Sequence, residues 1–458
     1  MILRPLLVAL LGCTCGTPDE GPALPPLAAP NMPDLVLVTL DTTRADHLGA
    51  YGYPRDTSPV FDALAERAVL FERFVVPMAT TLPTHTSLLT GTWPAEHGVL
   101  ANVEHGGRRF VPSPGLRTFT SWLAGLGYDT AGVVSAMPLS RATGIARGFR
   151  SWSQPRGTER PARITTNRAL GWLAQAPSDR PIFLWVHYYD PHNPYAPPED
   201  APARFGGTPE PALDAWLDAR APDKVAYRPT GERVDLQQAV DGYDGEIRTM
   251  DGYLGQLLDA LDEARGTRAR VLVVAGDHGE GLNQHGEPGH GQVWTEHLHA
   301  PLLVLAPGLA PRRVPTVTAA ADVLPIVLGL VDLPGEADFL AQVSGADVLA
   351  PGFQERPVLS QTSERQEMLG RRLRYARTGP RWACHFGEDI PTRLYDHLTD
   401  PHELAAVDDP ATAQACRDAG MAELAVLAQR GVELGAGRTV DDLTDAERAA
   451  LEELGYLE

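Results

Sequence analysis

The chain has 458 residues, 43% of them hydrophobic, with a formal charge of -20 and a pI near 5.1. That size suffices for one large core with a smaller appended domain. So acidic a surface repels phosphate backbones and anionic lipid, which argues against nucleic acid as a partner and makes an anionic substrate depend on a metal or on local cationic side chains.

At the amino end, Arg4 precedes an apolar run from Leu6 to Leu11, and Gly12 precedes Cys13. The run is too short to span a bilayer. Residues 1–12 read as an export signal of the bacterial lipoprotein type, cut before Cys13, which then carries lipid. This predicts an exported protein whose contact with the membrane of the bacterial cell envelope is the lipid anchor alone. Residues 13–33, which include TPDEGPALPPLAAPNMP (17–33), read as an extended Pro-rich tether. The cysteines are Cys13, Cys15, Cys384 and Cys416, and none forms a CxxC pair. Export permits a Cys384–Cys416 disulfide, and two separate buried thiols fit equally well.

From Asp34 the pattern alternates. LVLVTL (35–40) is a continuous apolar run, as expected of a strand buried on both faces. SPVFDALAERAVLFE (58–72) has helical spacing. TAGVVS (130–135) and PIFLWVHYY (181–189) read as buried strands, and YDGEIRTMDGYLGQLLDALDEA (243–264) as a long amphipathic helix. RVLVVAGDHG and APLLVLAPG are further strands. The alternation predicts an α/β fold with a mainly parallel central sheet flanked by helices over 34–350. Residues 351–458 form a smaller C-terminal α+β subdomain, closing on a capping-box pattern at Thr444 and Glu447.

In such sheets ligands bind beyond the carboxyl ends of the strands. Three strands here end in polar clusters: Asp41 after the first, Asp190 and His192 after PIFLWVHYY, and Asp277, His278, His285 and His290 after RVLVVAG. One such Asp is ordinarily a helix cap. Three ends loaded with Asp and His suit Zn²⁺ or Mn²⁺. TTLPTHTSLLTG (80–91) puts Thr81 at or near a helix start, with Pro83 in the first turn. Thr81 is then either a cap or a nucleophile activated by a divalent metal.

The blocks VTLDTTRADHLGAYGY, TLPTHTSLLTGTWPAEHGV, VHYYDPHNPY, DHGEGLNQHGEPGHG and LYDHLTDPHELAAV resemble, in order, those of the sulfatase family within the alkaline phosphatase superfamily. The resemblance implies a sulfatase-like catalytic domain over 34–350. It implies metal ligation by Asp41, Thr81, Asp277 and His278, with Thr81 as nucleophile. It places Arg44 at the basic position of the first block, His192 and His290 on the transferred anion, and Asp190 beside them. His85 stands where the family block C/S-x-P-x-R has arginine, and it is counted with Thr81, His192 and His290 in the catalytic set. Thr42 replaces an aspartate, and His290 a lysine. Threonine, a secondary alcohol, cannot give the aldehyde of formylglycine, so that cofactor is not expected. One Zn²⁺ or Mn²⁺ is favoured over Ca²⁺, because Thr42 removes an oxygen ligand and His278 adds a nitrogen. Asp190, His192 and His290 either hydrogen-bond the substrate or complete a second cation site.

The resulting expectation is an exported, metal-dependent hydrolase of a sulfuric or phosphoric ester, on a small anionic molecule, a glycan or a lipid. The alternatives are a phosphoglycerol- or phosphoethanolamine-type transferase and a non-catalytic binding protein on the same scaffold.

Overall fold

A computed structural model describes residues 25–29, 31–102, 113, 115–198, 205–206, 210–220, 225–227, 233–363 and 371–436. The signal segment, Cys13 and the Thr444/Glu447 capping box lie outside the described residues.

The strands are β1 (Asp34–Leu40), β2 (Val69–Val75), β3 (Asp129–Val134), β4 (Ser151–Ser153), β5 (Ile182–Tyr188), β6 (Val225–Tyr227), β7 (Arg233–Asp235), β8 (Arg270–Gly276), β9 (His299–Leu305), β10 (Arg312–Ala319), β11 (Val358–Gln361), β12 (Tyr375–Thr378), β13 (Trp382–Gly387) and β14 (Ile390–Asp396). The main sheet has the order β10-β2-β9-β8-β1-β5-β3-β4. All its pairings are parallel except those of β9 with β2 and with β8. Helices flank it, and those used below are α1 (Pro59–Ala65), α2 (Thr81–Thr90), α3 (Ala162–Leu173), α4 (Leu236–Arg265) and α5 (Thr295–Leu298). The architecture is the expected mixed α/β fold.

Burial explains why the central strands are apolar without interruption. Along β1, Leu35 and Leu37 enter the core on one face, while Val36, Val38 and Leu40 enter the core on the other. A strand covered on both faces has no polar side to alternate with. The helix read over residues 58–72 is corrected: α1 stops at Ala65, and Val69–Val75 form β2 between β9 and β10. A VLF run at the end of a helical pattern fits either state, and pairing on both sides decides for the strand.

The C-terminal part is a four-stranded antiparallel sheet, β11 to β14, covered by helix α6 (Pro410–Glu433). It has its own small core of Leu359, Phe386, Leu394 and Ala413. Cys384 on β13 and Cys416 on α6 are joined as a disulfide, which decides between the two readings of that pair.

Candidate active site

Strands β1 and β8 are parallel neighbours with Leu40 opposite Gly276. The next residue of each strand, Asp41 and Asp277, therefore emerges side by side at the carboxyl edge. His278 follows directly. All three are fully buried. Thr42 turns the chain sharply, in the left-handed region with φ 46°, and its N–H donates to Asp277 Oδ1 at 3.1 Å. Tyr243 of α4 fixes this turn by donating to Thr42 O at 2.6 Å and accepting from Arg44 N at 2.9 Å.

Thr81 is the first residue of α2, with Thr80 in the N-cap position. Its hydroxyl does not cap. The N-terminal amide of Leu82 donates to Asn102 Oδ1 at 2.7 Å, and Asn102 Nδ2 donates to Thr81 Oγ1 at 3.4 Å. Thr81 Oγ1 in turn donates to Asp41 Oδ2 at 3.4 Å. The hydroxyl thus sits beside the carboxylate pair, next to a helix N-terminus suited to an anion.

The donor set fits a divalent cation. His278 Nδ1–H donates to Gly279 O at 2.9 Å, which leaves the lone pair on Nε2. That Nε2, Asp277 Oδ2, Asp41 Oδ1 and Thr42 Oγ1 are buried without a protein partner. Ligand atoms of Asp41, Asp277 and His278 lie within 4.8 Å of one another. Burial pushes the Asp41 and Asp277 carboxyls well up and, together with His290, pushes the His278 imidazole well down. Paired buried carboxylates and a neutral imidazole are the charge states that a cation stabilises.

His187, which the sequence reading passed over, holds Asp41. Ser135 N–H donates to its Nδ1 at 3.3 Å, so Nε2 carries the proton and donates to Asp41 Oδ2 at 3.1 Å. His187 lies inside β5 opposite Thr39, where an apolar run concealed it. Asn102 lies beyond the short helix Pro94–His97 that follows α2, and it carried no local signal.

Three of the expected site residues, His85, Arg44 and Asp190, have partners within the protein. His85 uses both ring nitrogens inside the protein: Nδ1–H donates to Thr81 O at 2.7 Å, and Nε2 accepts from Thr39 Oγ1 at 2.9 Å. Thr39 Oγ1 itself accepts from Trp185 Nε1 at 2.9 Å. His85 therefore ties the first turn of α2 to β1 and has no atom for the reacting group. The Arg44 guanidinium makes four bonds, to Asp46 through Nε and Nη2, to Glu280 O and to Gln284, and so braces the loops after β1 and β8. Asp190 Oδ2 accepts from Ala162 N at 2.9 Å, which ties the first residue of α3 to the end of β5. Burial raises its carboxyl to about 6.

His192 and His290 do come together beside His278. Their Nε2 atoms are 3.3 Å apart, and the rings of His278 and His290 are 4.4 Å apart. Each gives its Nδ1–H to a carbonyl, Asn193 O at 2.8 Å and Ala79 O at 3.0 Å. Two lone pairs would then face each other, so the approach is attractive only with a proton or a cation between the rings.

The sulfatase family model matches residues 33–333. The chain belongs to the sulfatase family. It is 24% identical to the ulvan-active sulfatase of Formosa agariphila over 88% of this chain and 82% of that protein. It is 24% identical to human iduronate 2-sulfatase, a match that spans 60% of each chain. Its fold is similar to that of the phosphonate monoester hydrolase of Agrobacterium radiobacter, with TM-score 0.66 and 20% identity over 87% of this chain and 96% of that one. This sulfatase-family chain is an ester hydrolase.

Proposed function

We propose that the chain is a metal-dependent hydrolase of phosphoric esters that acts through Thr81. The observation that carries this reading is the group of partnerless buried ligand atoms on Asp41, Thr42, Asp277 and His278 around the Thr81 hydroxyl. Asp41, Asp277, His278 and Thr81 would hold the ion, Zn²⁺ or Mn²⁺ by the nitrogen in the set. Bound there, the ion would lower the hydroxyl's pKa and offset charge on the transferred group.

The residues then divide the work. Asp41 Oδ2 takes the Thr81 proton. Thr81 Oγ1 attacks phosphorus, and the bond to the leaving oxygen breaks. The His192–His290 pair supplies that oxygen with a proton. Water then attacks the phosphorus of the Thr81 ester and gives its proton back to the His192–His290 pair, while Asp41 returns its proton to the departing Thr81 oxygen, which releases phosphate and restores the hydroxyl. A formylglycine hydrate expels its anion by breaking its own C–O bond, and threonine has no such exit. Attack at phosphorus solves this more readily than attack at sulfur. A sulfuric ester is the second reading, favoured by the sulfatase names of the two relatives. The leaving group fits a small molecule, a glycan or a lipid alcohol. We also propose export with lipid on Cys13, which would put the enzyme at the bacterial cell envelope.

The test uses the full chain made without a formylglycine-generating enzyme and loaded with Zn²⁺ or Mn²⁺. Turnover of aryl phosphate or bis-aryl phosphate, lost in Thr81→Ala while Tm is kept, is the expected result. Turnover of aryl sulfate alone would replace the phosphoric reading with the sulfuric one. Undiminished turnover in Thr81→Ala would overturn the nucleophile.

A further inference from the structure

The loop between β8 and β9, residues 277–298, carries His278 and His290 and runs through an unfavourable backbone. Leu282, Asn283 and His285 all lie in the left-handed region, at φ 45°, 63° and 52°. Such conformations persist in non-glycine residues only where surrounding contacts over-determine them. Inside the loop, His285 Nδ1 bonds Glu296 Oε1 at 2.7 Å, and its ring stacks on Trp294 at 3.9 Å.

From the C-terminal subdomain, His385 and Tyr395 pack on Trp294, and two hydrogen bonds come from a single residue, Glu403. Glu403 O accepts from His285 Nε2 at 3.1 Å, and Glu403 Oε2 accepts from Thr295 N at 3.0 Å. These two bonds grip the loop on either side of His290. The other carboxylate oxygen, Oε1, accepts from His385 Nε2 of β13 at 3.2 Å and from His397 Nε2 at 2.9 Å. Glu403 is 3% exposed and is itself left-handed at φ 58°. Burial favours the protonated acid, but His385 and His397 hold the carboxyl well below its ordinary range. As a carboxylate it accepts on both sides at once, which neither a glutamine nor a shorter acid can do.

We infer that Glu403 is a positioning residue of the active site, which sets the loop carrying His290 from the C-terminal subdomain. The subdomain is on this account part of the catalytic apparatus, and Glu403 is the residue through which it bonds the loop on both sides of His290. The inference rests on the placement of His290 in the proposed site.

The experiment compares full-length Glu403→Gln with Leu359→Ala, which weakens the same subdomain through its core. Hydrogen exchange, Mn²⁺ affinity and steady-state kinetics are read on each. Glu403→Gln is expected to lose amide protection across residues 279–297 and to lower kcat roughly 10- to 100-fold, the scale of a misplacement near 1 Å. KM and Mn²⁺ affinity should stay within about threefold, since Asp41, Thr81, Asp277 and His278 lie outside the segment gripped between His285 and Thr295. Leu359→Ala is expected to lower Tm while leaving kcat and loop protection unchanged below the melting range. Unchanged loop protection in Glu403→Gln, or a parallel fall of kcat in both variants, would overturn the inference. Hydrogen exchange needs no turnover, so a failure of the proposed activity is distinguishable from a failure of the clamp.

Discussion

His187 shows how one unremarked residue governs a site. It gives Nε2–H to Asp41 Oδ2, and so turns the other carboxylate oxygen, Oδ1, toward the proposed metal position. Partners of this kind orient a ligand and raise its basicity. His187→Phe is expected to weaken Mn²⁺ or Zn²⁺ binding about 10- to 100-fold, with the fold kept. Isothermal titration on the full chain measures it, and an unchanged affinity would remove His187 from this role. The motif was legible at Asp41, Thr81, Asp277 and His278, because each stands at an element end where a sequence pattern changes. His187 was not legible, because a buried histidine inside an apolar strand reads as core until its partner across the sheet is known.

At the scale of elements, the site depends on the pairing of β1, β8 and β5, which delivers Asp41, Asp277 and His187 to one edge. Helix α4 braces that edge through Tyr243, and it also carries Glu246, whose Oε1 accepts from Ala196 N at 2.9 Å. Burial, partly offset by that amide, pushes the Glu246 carboxyl from 4.5 to about 8. A raised carboxyl pKa favours the protonated native state. Its contribution to stability is therefore full below about 4.5 and is lost as pH rises toward 8. Glu246→Gln, which is neutral throughout, should lose less Tm than the parent between pH 5 and pH 8. A parallel decline in both proteins would show that Glu246 is not the source of the slope. The strands themselves were visible as apolar runs. Strand β2 was not, because its identity as strand rather than helix comes from β9 and β10 on either side.

For the whole molecule, the charge of -20 and the Pro-rich stretch before Asp34 bear on where the enzyme works. An acidic domain is repelled by an anionic lipid surface, and under the lipoprotein proposal a Pro-rich segment would let it stand clear while lipid on Cys13 would keep it near. Mass spectrometry of the protein from a bacterial envelope fraction is expected to show a diacylated or triacylated Cys13 as the first residue. Cys13→Ser should abolish the lipid and release the chain from membranes. An unmodified Cys13 in a correctly processed chain would end the lipoprotein proposal.

The sequence by itself determined the fold class, the family and the chemical types at the strand ends, since these follow from local pattern: continuous apolar runs, helix starts and Asp–His clusters. Only the tertiary structure decided which of those groups have atoms left for a reaction. Arg44, His85 and Asp190 lie within the motifs, yet each also bonds within the protein, to Asp46, Thr39 and Ala162. Glu403 lies more than a hundred residues from His285, yet it bonds that residue's ring. Hydrogen-bond capacity is finite, and its allocation depends on neighbours that chain order does not reveal.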